Sequence, residues 1–455
     1  MSYRSKAGFA LAVLFAINTM NFFDRQILGA VGETVKNQLE LSDTALGTLG
    51  TAFIVLYAII GVPLGRLTDK IMRTRILAVG VTVWSLFTVL SGMAVTYTQL
   101  FLARLGVGVG EASCAPAASS LIGDLFPAAK RAKALAIFML GLPIGVALSF
   151  AVSSWFAQQY GWRSAFYLAG IPGVICAVLA LLIREPKRGG AETHNISTQK
   201  REGSPYWLVL SIPTMWWIIL SGALHNFNMY AIGSFLSPFL QRVHRISEFE
   251  AGLVSMVAFG LAGIPGLMIG GALGDSIMRK RPNGRMVVSA IAIAISVPFT
   301  YFALQTPVGS VATYTILMSI ACAAMYVYYS TVYSTIQDVI EPSLRGTAMA
   351  LYFFAMYVLG AALGPLGMGA LSDYFFRQAA AGLPIAEMTR PQLAPYIAEG
   401  LHSALYIIPI LGVLLAIVLF AGSMTVAKDM ERLQRWMRES AEKSQPAGAK
   451  AGAAD

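Results

Sequence analysis

Four ionisable side chains interrupt stretches of this sequence that are otherwise apolar. Asp24 and Arg25 lie in the first such stretch, and Arg104 and Glu111 lie in the fourth. A charge without a partner costs several kcal/mol inside a membrane, so such groups are expected to face the protein interior and to pair. A carboxylate held near an arginine can bind and release a proton, which makes Asp24 and Glu111 candidate proton carriers.

The spacing of these residues limits how they can pair. Arg104 and Glu111 are seven residues apart, so two helical turns place them on one face, with Gly108 expected to leave open space between them. Asp24 and Arg25 are adjacent and point about 100° apart on a helix, so each needs a partner on another helix. For Arg104 the alternative is a structural anchor near the periplasmic end of its span.

A second set of polar side chains lies further along the chain. His225 and Asn228 share one helical face and are candidates to line a cavity or to handle protons; the alternative is a hydrogen bond between helices. Tyr326, Tyr329 and Tyr333 follow at spacings of three and four residues and form a single stripe. Aromatic rings with polar tips suit an amphipathic ligand, and plain packing is the alternative.

The elements that position these residues are membrane-spanning helices. Of the 455 residues 56% are hydrophobic and only 12% are charged, well below the roughly 25% of a soluble domain. The net charge of +10 lies mainly in short loops between apolar runs, which orients a membrane protein and does not indicate nucleic acid as a partner. The three cysteines lie in apolar segments at unrelated spacings, so neither a disulfide nor a metal site is expected.

Twelve apolar stretches reach the length of about 20 residues that a membrane-spanning helix needs. Their approximate bounds are 7–30, 44–66, 74–96, 98–123, 132–157 and 163–183 in the first half, and 208–240, 249–273, 285–304, 311–337, 345–372 and 401–425 in the second. They predict an all-α membrane protein with 12 transmembrane helices in two six-helix halves.

Basic residues set the orientation of the predicted spans. Lys and Arg are frequent in the loops after spans 2, 4, 6, 8 and 10 and rare in the loops after spans 1, 3, 5 and 9, which places both termini in the cytoplasm. The loop between spans 7 and 8 is an exception, since it carries Arg242, His244 and Arg245, offset by Glu248 and Glu250.

The predicted domains follow from the same pattern. Residues 1–183 form the N-terminal half, the polar, Gly-rich segment 184–205 is a cytoplasmic linker, and residues 206–427 form the C-terminal half. The cytoplasmic tail, 428–455, starts with a short amphipathic helix that suits the membrane surface.

A repeated loop supports the division into halves. The pattern Gly-x-Leu-x-Asp-x-Ile-Met-Arg follows span 2, where it contains Asp69 and ends at Arg73, and it follows span 8, where it contains Asp275 and ends at Arg279. The two aspartates are 206 residues apart. Such duplication is typical of a protein built from two similar moving parts.

A second repeat has the same arrangement. Asp124 precedes Arg131 by seven residues before span 5, and Asp338 precedes Arg345 by seven residues before span 11. Two matched pairs of motifs are hard to obtain by chance, and they strengthen the interpretation of two related halves.

Over about residues 7–425 the chain resembles the major facilitator superfamily. The loop pattern after span 2 resembles the best-known signature of that superfamily, and the glycines that follow Arg104 resemble a second one. The Gly/Pro-rich turn Gly141-Leu-Pro143-Ile-Gly145 resembles a third, with a change in its usual order. The resemblance implies that spans 1 and 4 lie side by side in a cavity. It also implies that Asp69 pairs with Arg131 and caps a helix of the other half, as a conformational latch.

Three stretches are similar more narrowly to the Spinster family of lipid transporters. They are Asn21-Phe-Phe-Asp24-Arg25, the stretch from Arg104 to Glu111-Ala-Ser, and Ile183-Arg-Glu-Pro186-Lys-Arg-Gly. The first is the weaker sign, because bacterial organic-anion symporters of the same superfamily also carry one like it. Asp69, Arg73, Asp124, Arg131, Asp275 and Arg345 are the latch residues that the superfamily pattern implies.

The predicted function is proton-coupled secondary transport by alternating access in the bacterial inner membrane. The chain contains no Gly-x-x-x-x-Gly-Lys-Ser/Thr loop, no His-Glu-x-x-His and no Gly-x-Ser-x-Gly, so neither an ATP-driven pump nor a hydrolase is indicated, and no enzyme activity or cofactor is expected. The Spinster resemblance implies a lysophospholipid- or sphingolipid-like amphiphile as substrate. The charges of the first half and the aromatic and apolar residues of the second suggest that its anionic head lies near Arg25 and Arg104 and its tail lies toward the second half. A symporter for a small organic anion stays open, as does a transporter-like receptor; a monomer is expected.

Overall fold

The computed structural model describes residues 3–68, 70–187, 204–341 and 344–444, and most of these residues are helical. In the first half the helices are α1 Tyr3–Gln38, α2 Asp43–Thr68, α3 Arg73–Met93, α4 Tyr97–Glu111, α5 Cys114–Leu125, α6 Ala128–Met139, α7 Gly141–Leu148, α8 Ser154–Tyr160 and α9 Arg163–Leu182. In the second half they are α10 Pro205–Leu210, α11 Pro213–Val243, α12 Glu248–Ser255, α13 Gly263–Met278, α14 Gly284–Leu304, α15 Val311–Val339, α16 Arg345–Ala355, α17 Leu363–Ala379, α18 Arg390–Leu405 and α19 Ile407–Ser444.

Ten helical stretches within the described residues are long and apolar enough to cross a membrane. The predicted span 98–123 is not one of them, because it consists of two shorter helices, α4 and α5, that meet at Ala112 and Ser113. The predicted span 208–240 coincides largely with the 31-residue helix α11, which is also absent from that set. The all-helical, multi-pass class is therefore confirmed, whereas the total of twelve spans and the orientation of the termini stay predictions.

Short π-helical segments interrupt three of the predicted spans. They are Ser149–Ser153 between α7 and α8, Met256–Leu261 between α12 and α13, and Met356–Ala361 between α16 and α17. Such segments frequently mark functional sites. The first two pack against each other between the halves, and the third packs against α2.

The halves meet where small residues allow helix backbones to approach closely. Helix α2 packs against α17, and α1 packs against α11. A side-chain carbon added at Gly47 would lie 2.6 Å from the carbonyl carbon of Pro365, and one added at Gly369 would lie 2.6 Å from that of Asp43. Because neither side tolerates a larger residue, glycine on both helices sets the close contact of α2 with α17.

The predicted linker and tail differ in part from the structure. Residues 188–203 and 445–455 lie outside the described residues, but Glu185 is bound to the start of α3 rather than being part of a free linker. The predicted helix over 428–443 is not separate, because it continues α19 without a break. Asp429 on that continuation accepts hydrogen bonds from the backbone N–H (3.0 Å) and the hydroxyl (2.6 Å) of Thr214, which joins the tail to the start of α11.

Candidate functional site

A buried ion pair joins helices α1 and α4 at the centre of the first half. Arg25 Nε lies 2.7 Å from Glu111 Oε2, and the two side chains are 7% and 0% exposed. Asp24 points to another helix, where the hydroxyl of Thr88 on α3 lies 3.4 Å from its Oδ2. The structure thus gives Asp24 and Arg25 separate partners on other helices, as their spacing predicts.

Arg104 differs from the expectation that every buried charge is paired. It is 1% exposed, and its Nε and Nη1 have no hydrogen-bond partner among the described residues. Its guanidinium carbon lies 5.1 Å from the ring centroid of Phe53, which is a cation–π contact. The expected space at Gly108 is also absent, since a side-chain carbon there would lie 2.6 Å from the carbonyl oxygen of Phe53.

The same buried region has unused capacity for hydrogen bonds. Asp24 Oδ1 and Glu111 Oε1 are shielded from solvent and have no partner within the described part of the chain. Buried polar groups normally have a partner, and each exception calls for an explanation. Two carboxylate acceptors close to two arginines can take up a proton, a water molecule or a polar ligand.

His225 and Asn228 lie deep within the second half. The imidazole of His225 stacks on Tyr328 with ring centroids 4.0 Å apart, and neither ring nitrogen has a partner among the described residues. Asn228 Nδ2 donates a hydrogen bond of 3.1 Å to the carbonyl oxygen of Ile408 on α19. The hydrogen bond of Asn228 links two helices. The two ring nitrogens of His225, in contrast, are available for a hydrogen bond that no contact in the described residues makes.

The predicted tyrosine stripe on α15 is continuous. Tyr326 and Tyr329 have ring centroids 5.9 Å apart, and Tyr329 and Tyr333 have theirs 5.7 Å apart. The hydroxyl of Tyr329 lies 3.2 Å from Asn226 Oδ1 on α11. Packing explains these contacts, and a role of the stripe in binding a ligand stays a prediction.

A compact ion cluster surrounds Arg73 at the start of α3. Arg73 pairs with Asp124, and its Nε lies 2.7 Å from Glu185 Oε1. These two partners of Arg73 belong to the first half, and the role of the cluster in a latch stays a prediction. Asp69 lies outside the described residues, and its pairing with Arg131 stays a prediction.

The arginines that end the second repeat bind backbone carbonyl groups. Arg131 Nη2 donates to the carbonyl oxygen of Gly123 at 2.8 Å. Arg345 Nε donates to the carbonyl oxygen of Gln337 at 3.2 Å. Each arginine therefore stabilises the C-terminal end of the helix that precedes it, where free carbonyl groups favour a positive charge.

The second-half loop corrects the residue correspondence that its sequence repeat suggests. The repeat pairs Arg73 with Arg279, but Arg279 is exposed, and Arg285 instead binds Asp275 at 2.6 Å and pairs with Asp338. The reason is a shift of helix boundaries: α13 runs to Met278 and α14 begins only at Gly284. Arg285 therefore takes the place at a helix start that Arg73 has in the first half.

A second ion cluster, which the sequence pattern does not predict, lies between the halves. Arg242 on α11 uses Nη1 and Nη2 to bind both carboxylate oxygens of Asp43, at 2.7 and 2.8 Å, and its Nε donates to Glu33 at 2.7 Å. Lys36 Nζ lies 2.7 Å from Asp43 Oδ1. These four residues, called here the inter-half ion cluster, join the end of α1 and the start of α2 to the end of α11.

Neighbouring bonds extend this contact. Ser372 on α17 donates to Asp43 at 2.6 Å, and Asp373 accepts from the backbone N–H of Thr44 at 2.8 Å. Thr34 on α1 donates to Glu248 on α12 at 2.7 Å. The charge pattern of the segment with Arg242 and Glu248, which is an exception among the loops, is the sequence signal that could have indicated this cluster. Arg242 itself lies in the last turn of a helix and not in a loop.

Comparison with known proteins gives a family match and close structural neighbours. Residues 14–365 match the family model described as Major Facilitator Superfamily. An MFS-type efflux pump of Mycolicibacterium smegmatis is 29% identical over 369 residues, which covers 81% of this chain and 85% of that protein. Protein spinster of Drosophila melanogaster is 29% identical over 378 residues, covering 80% of this chain but only 62% of the fly protein.

A solved structure matches nearly the whole chain. It is a bacterial homologue of the human lysosomal transporter Spinster in an inward-facing, unoccupied conformation. The two chains are 26% identical, the TM-score is 0.83, and the match covers 93% of this chain and 98% of the homologue. The resemblance to Spinster proteins that the sequence motifs indicate is thereby confirmed.

Proposed function

Because this chain belongs to the major facilitator superfamily, we propose that it is a proton-coupled secondary transporter of an amphipathic, anionic lipid. The observation that carries the proposal is the buried ion pair of Arg25 with Glu111, beside Asp24 and an arginine without an ionic partner in the described residues. Charged side chains within a membrane are costly, and those that are present commonly have a functional role.

Proton coupling follows from how that site responds to a proton. Protonation of Glu111 removes its charge and with it the attraction to Arg25. Arg25 is then free to bind the anionic group of a substrate. Release of the proton restores the ion pair and displaces the substrate, so one site carries both steps of an alternating-access cycle.

The distribution of residues supports an amphipathic substrate. The buried charges Asp24, Arg25, Arg104 and Glu111 belong to the first half, whereas the facing second half carries the tyrosine stripe of α15. A polar head fits the first surface and an apolar tail fits the second. The similarity to Spinster proteins supports the choice of a lysophospholipid or sphingolipid.

Alternating access requires that one side of the protein is closed. The inter-half ion cluster lies at the ends of α1 and α11, and the charge pattern predicts that these ends are periplasmic. We take the conformation to be inward-facing with a closed periplasmic side. The inward-facing state of the similar bacterial structure supports this assignment.

A flux assay tests the proposal. Purified protein in lipid vesicles is given a proton gradient and a labelled lysophospholipid. The Asp24→Asn variant is compared with the wild type. The control is Glu439→Gln, because the side chain of Glu439 is exposed on α19. We expect gradient-driven lipid movement in the wild type and the control and its loss in Asp24→Asn. Uptake of an organic acid without lipid movement contradicts the lipid substrate but keeps proton-coupled transport, and no flux of either favours a receptor.

A further inference from the structure

Two tyrosines from opposite halves meet near the centre of the molecule. Tyr57 lies on α2, and Tyr357 lies in the π-helical segment Met356–Ala361. Their ring centroids are 5.1 Å apart with an angle of 67° between the planes, an edge-to-face contact. Tyr230 on α11 adds a third ring, 6.5 Å from that of Tyr357.

The first of these rings also contacts the buried ion pair. The guanidinium carbon of Arg25 lies 4.3 Å from the ring centroid of Tyr57, closer than to any other aromatic ring recorded around it among the described residues. The same guanidinium binds Glu111 through Nε. A continuous series of contacts therefore runs from Glu111 through Arg25 and Tyr57 to Tyr357, and it crosses from one half to the other.

The position of this contact separates it from the inter-half ion cluster. Tyr57 is 14 residues beyond Asp43 on the same helix, which corresponds to about 21 Å along its axis. The inter-half ion cluster is too distant to contact Arg25 directly, whereas the ring of Tyr57 is in contact with Arg25. The tyrosine contact is thus one place where the state of the ion pair meets the boundary between the halves, and Tyr230 of α11 is a second side chain of the other half that lies close to Arg25.

We propose that Tyr57 and Tyr357 are positioning residues that transmit the state of the Arg25–Glu111 ion pair to the contact between the halves. The inference rests on the proposed proton coupling. While Glu111 is ionised, it holds Arg25 above the ring of Tyr57, and that ring is fixed in its edge-to-face contact with Tyr357. When Glu111 takes up a proton, Arg25 loses its ionic partner, its position above the ring changes, and the contact between the halves weakens.

The aromatic face is the feature that distinguishes this role from plain packing. A cation is attracted to the ring of tyrosine or phenylalanine, but leucine offers no such surface. Tyr57→Phe and Tyr357→Phe keep the rings, whereas Tyr57→Leu and Tyr357→Leu fill much of the same space without them. Tyr374→Leu is the matched control, since Tyr374 is 55% exposed on α17.

The test measures the opening of the halves directly. Cysteines introduced at Val95 and Val308 carry spin labels; both positions are exposed and lie at the end of the molecule where the inter-half ion cluster lies. Pulsed electron paramagnetic resonance measures the distance between the two labels at acidic and alkaline pH. We expect two distance populations whose ratio depends on pH in the wild type, in both Phe variants and in the control. Tyr57→Leu and Tyr357→Leu should each reduce that pH-dependent change in the population ratio roughly tenfold, which lies within the range of a desolvated cation–π contact for Tyr57 and of an aromatic pair for Tyr357.

The outcomes separate this inference from the function it rests on. If both Leu variants keep the wild-type pH response while Glu111→Gln loses it, the coupling role of the tyrosines is wrong and proton coupling stands. If the wild type itself shows no pH response and no proton-driven flux, both are wrong. A Leu variant that keeps both wild-type distances but loses the pH dependence of their ratio is folded, so that loss reports the coupling and not misfolding.

Discussion

Arg242 of the second half binds Asp43 of the first through two parallel hydrogen bonds of 2.7 and 2.8 Å. The geometry is the two-point contact that suits an arginine and a carboxylate, and both side chains are almost fully buried. Removing one partner from a buried pair leaves an uncompensated charge, which costs about 3–5 kcal/mol. This one contact can therefore decide how often the two halves separate at that end.

Breaking this pair should shift the protein toward the state that is open at the ion cluster. We expect Arg242→Gln to raise the population of that state about 100-fold, because a loss of about 3 kcal/mol corresponds to that ratio. The distance between labels at Val95 and Val308 measures it. Arg245→Gln, three residues further along, is the control, and an unchanged distance distribution in Arg242→Gln would show that the pair does not hold the halves together.

Glu111→Gln should uncouple transport from the proton gradient. The amide fills the place of the carboxylate next to Arg25 but cannot take up the proton, so we expect gradient-driven accumulation to fall at least about tenfold. Exchange of substrate across the membrane without a gradient should persist. Flux in vesicles measures both processes, with Glu439→Gln as the control. Wild-type pH dependence of opening in Glu111→Gln would mean that another group is the switch.

Arg285 and Arg279 allow a direct comparison of the structure with the repeat in the sequence. Arg285→Gln removes the contacts to Asp275 and Asp338, and we expect it to lower the free energy of unfolding by about 1–2 kcal/mol, since Asp275 is largely exposed. Arg279→Gln should have no measurable effect, because Arg279 is exposed. Thermal unfolding in detergent measures which of the two variants is less stable. Equal stability of the two variants would contradict the conclusion that Arg285, and not Arg279, binds Asp275.

Glu185 should make stability depend on pH at the acidic end. Burial by itself raises the pKa of Glu185, but hydrogen bonds from the backbone N–H of Thr74 and from Arg73 outweigh it and hold the pKa below its ordinary value. A lowered pKa stabilises the folded state above the unfolded value of about 4.3, and the contribution disappears as the pH falls through the folded pKa.

The variant Glu185→Gln isolates this contribution. We expect it to be less stable than the wild type at neutral pH and equally stable once the pH lies below the pKa of Glu185 in the folded protein. Thermal unfolding over a pH series measures the difference, and Glu439→Gln serves as the exposed control. A difference between wild type and variant that stays constant down to acidic pH would contradict the role of the charge.

Much of the site was accessible from residue type and spacing. Asp24, Arg25, Arg104 and Glu111 stand out because charges within apolar stretches are rare, and adjacent positions on a helix necessarily point to different neighbours. What the spacing did not reveal is which acid binds which base. Arg104 and Glu111 share a helix face, yet the ion pair forms with Arg25, because the side chain of Arg25 reaches Glu111 from α1 and Phe53 on α2 fills the position beside Gly108.

The sequence by itself determined the all-helical membrane class and the family, and it predicts the division into related halves, since apolar length, loop charge and repeated motifs are local properties of the chain. Only the tertiary structure decided that Arg285 replaces Arg279, that Arg242 joins Asp43, and that Tyr57 meets Tyr357. The first contact depends on where two consecutive helices end and begin, and the other two depend on where helices far apart in the sequence cross. That geometry results from close packing at glycines and π-helical segments, and no single stretch of sequence contains it.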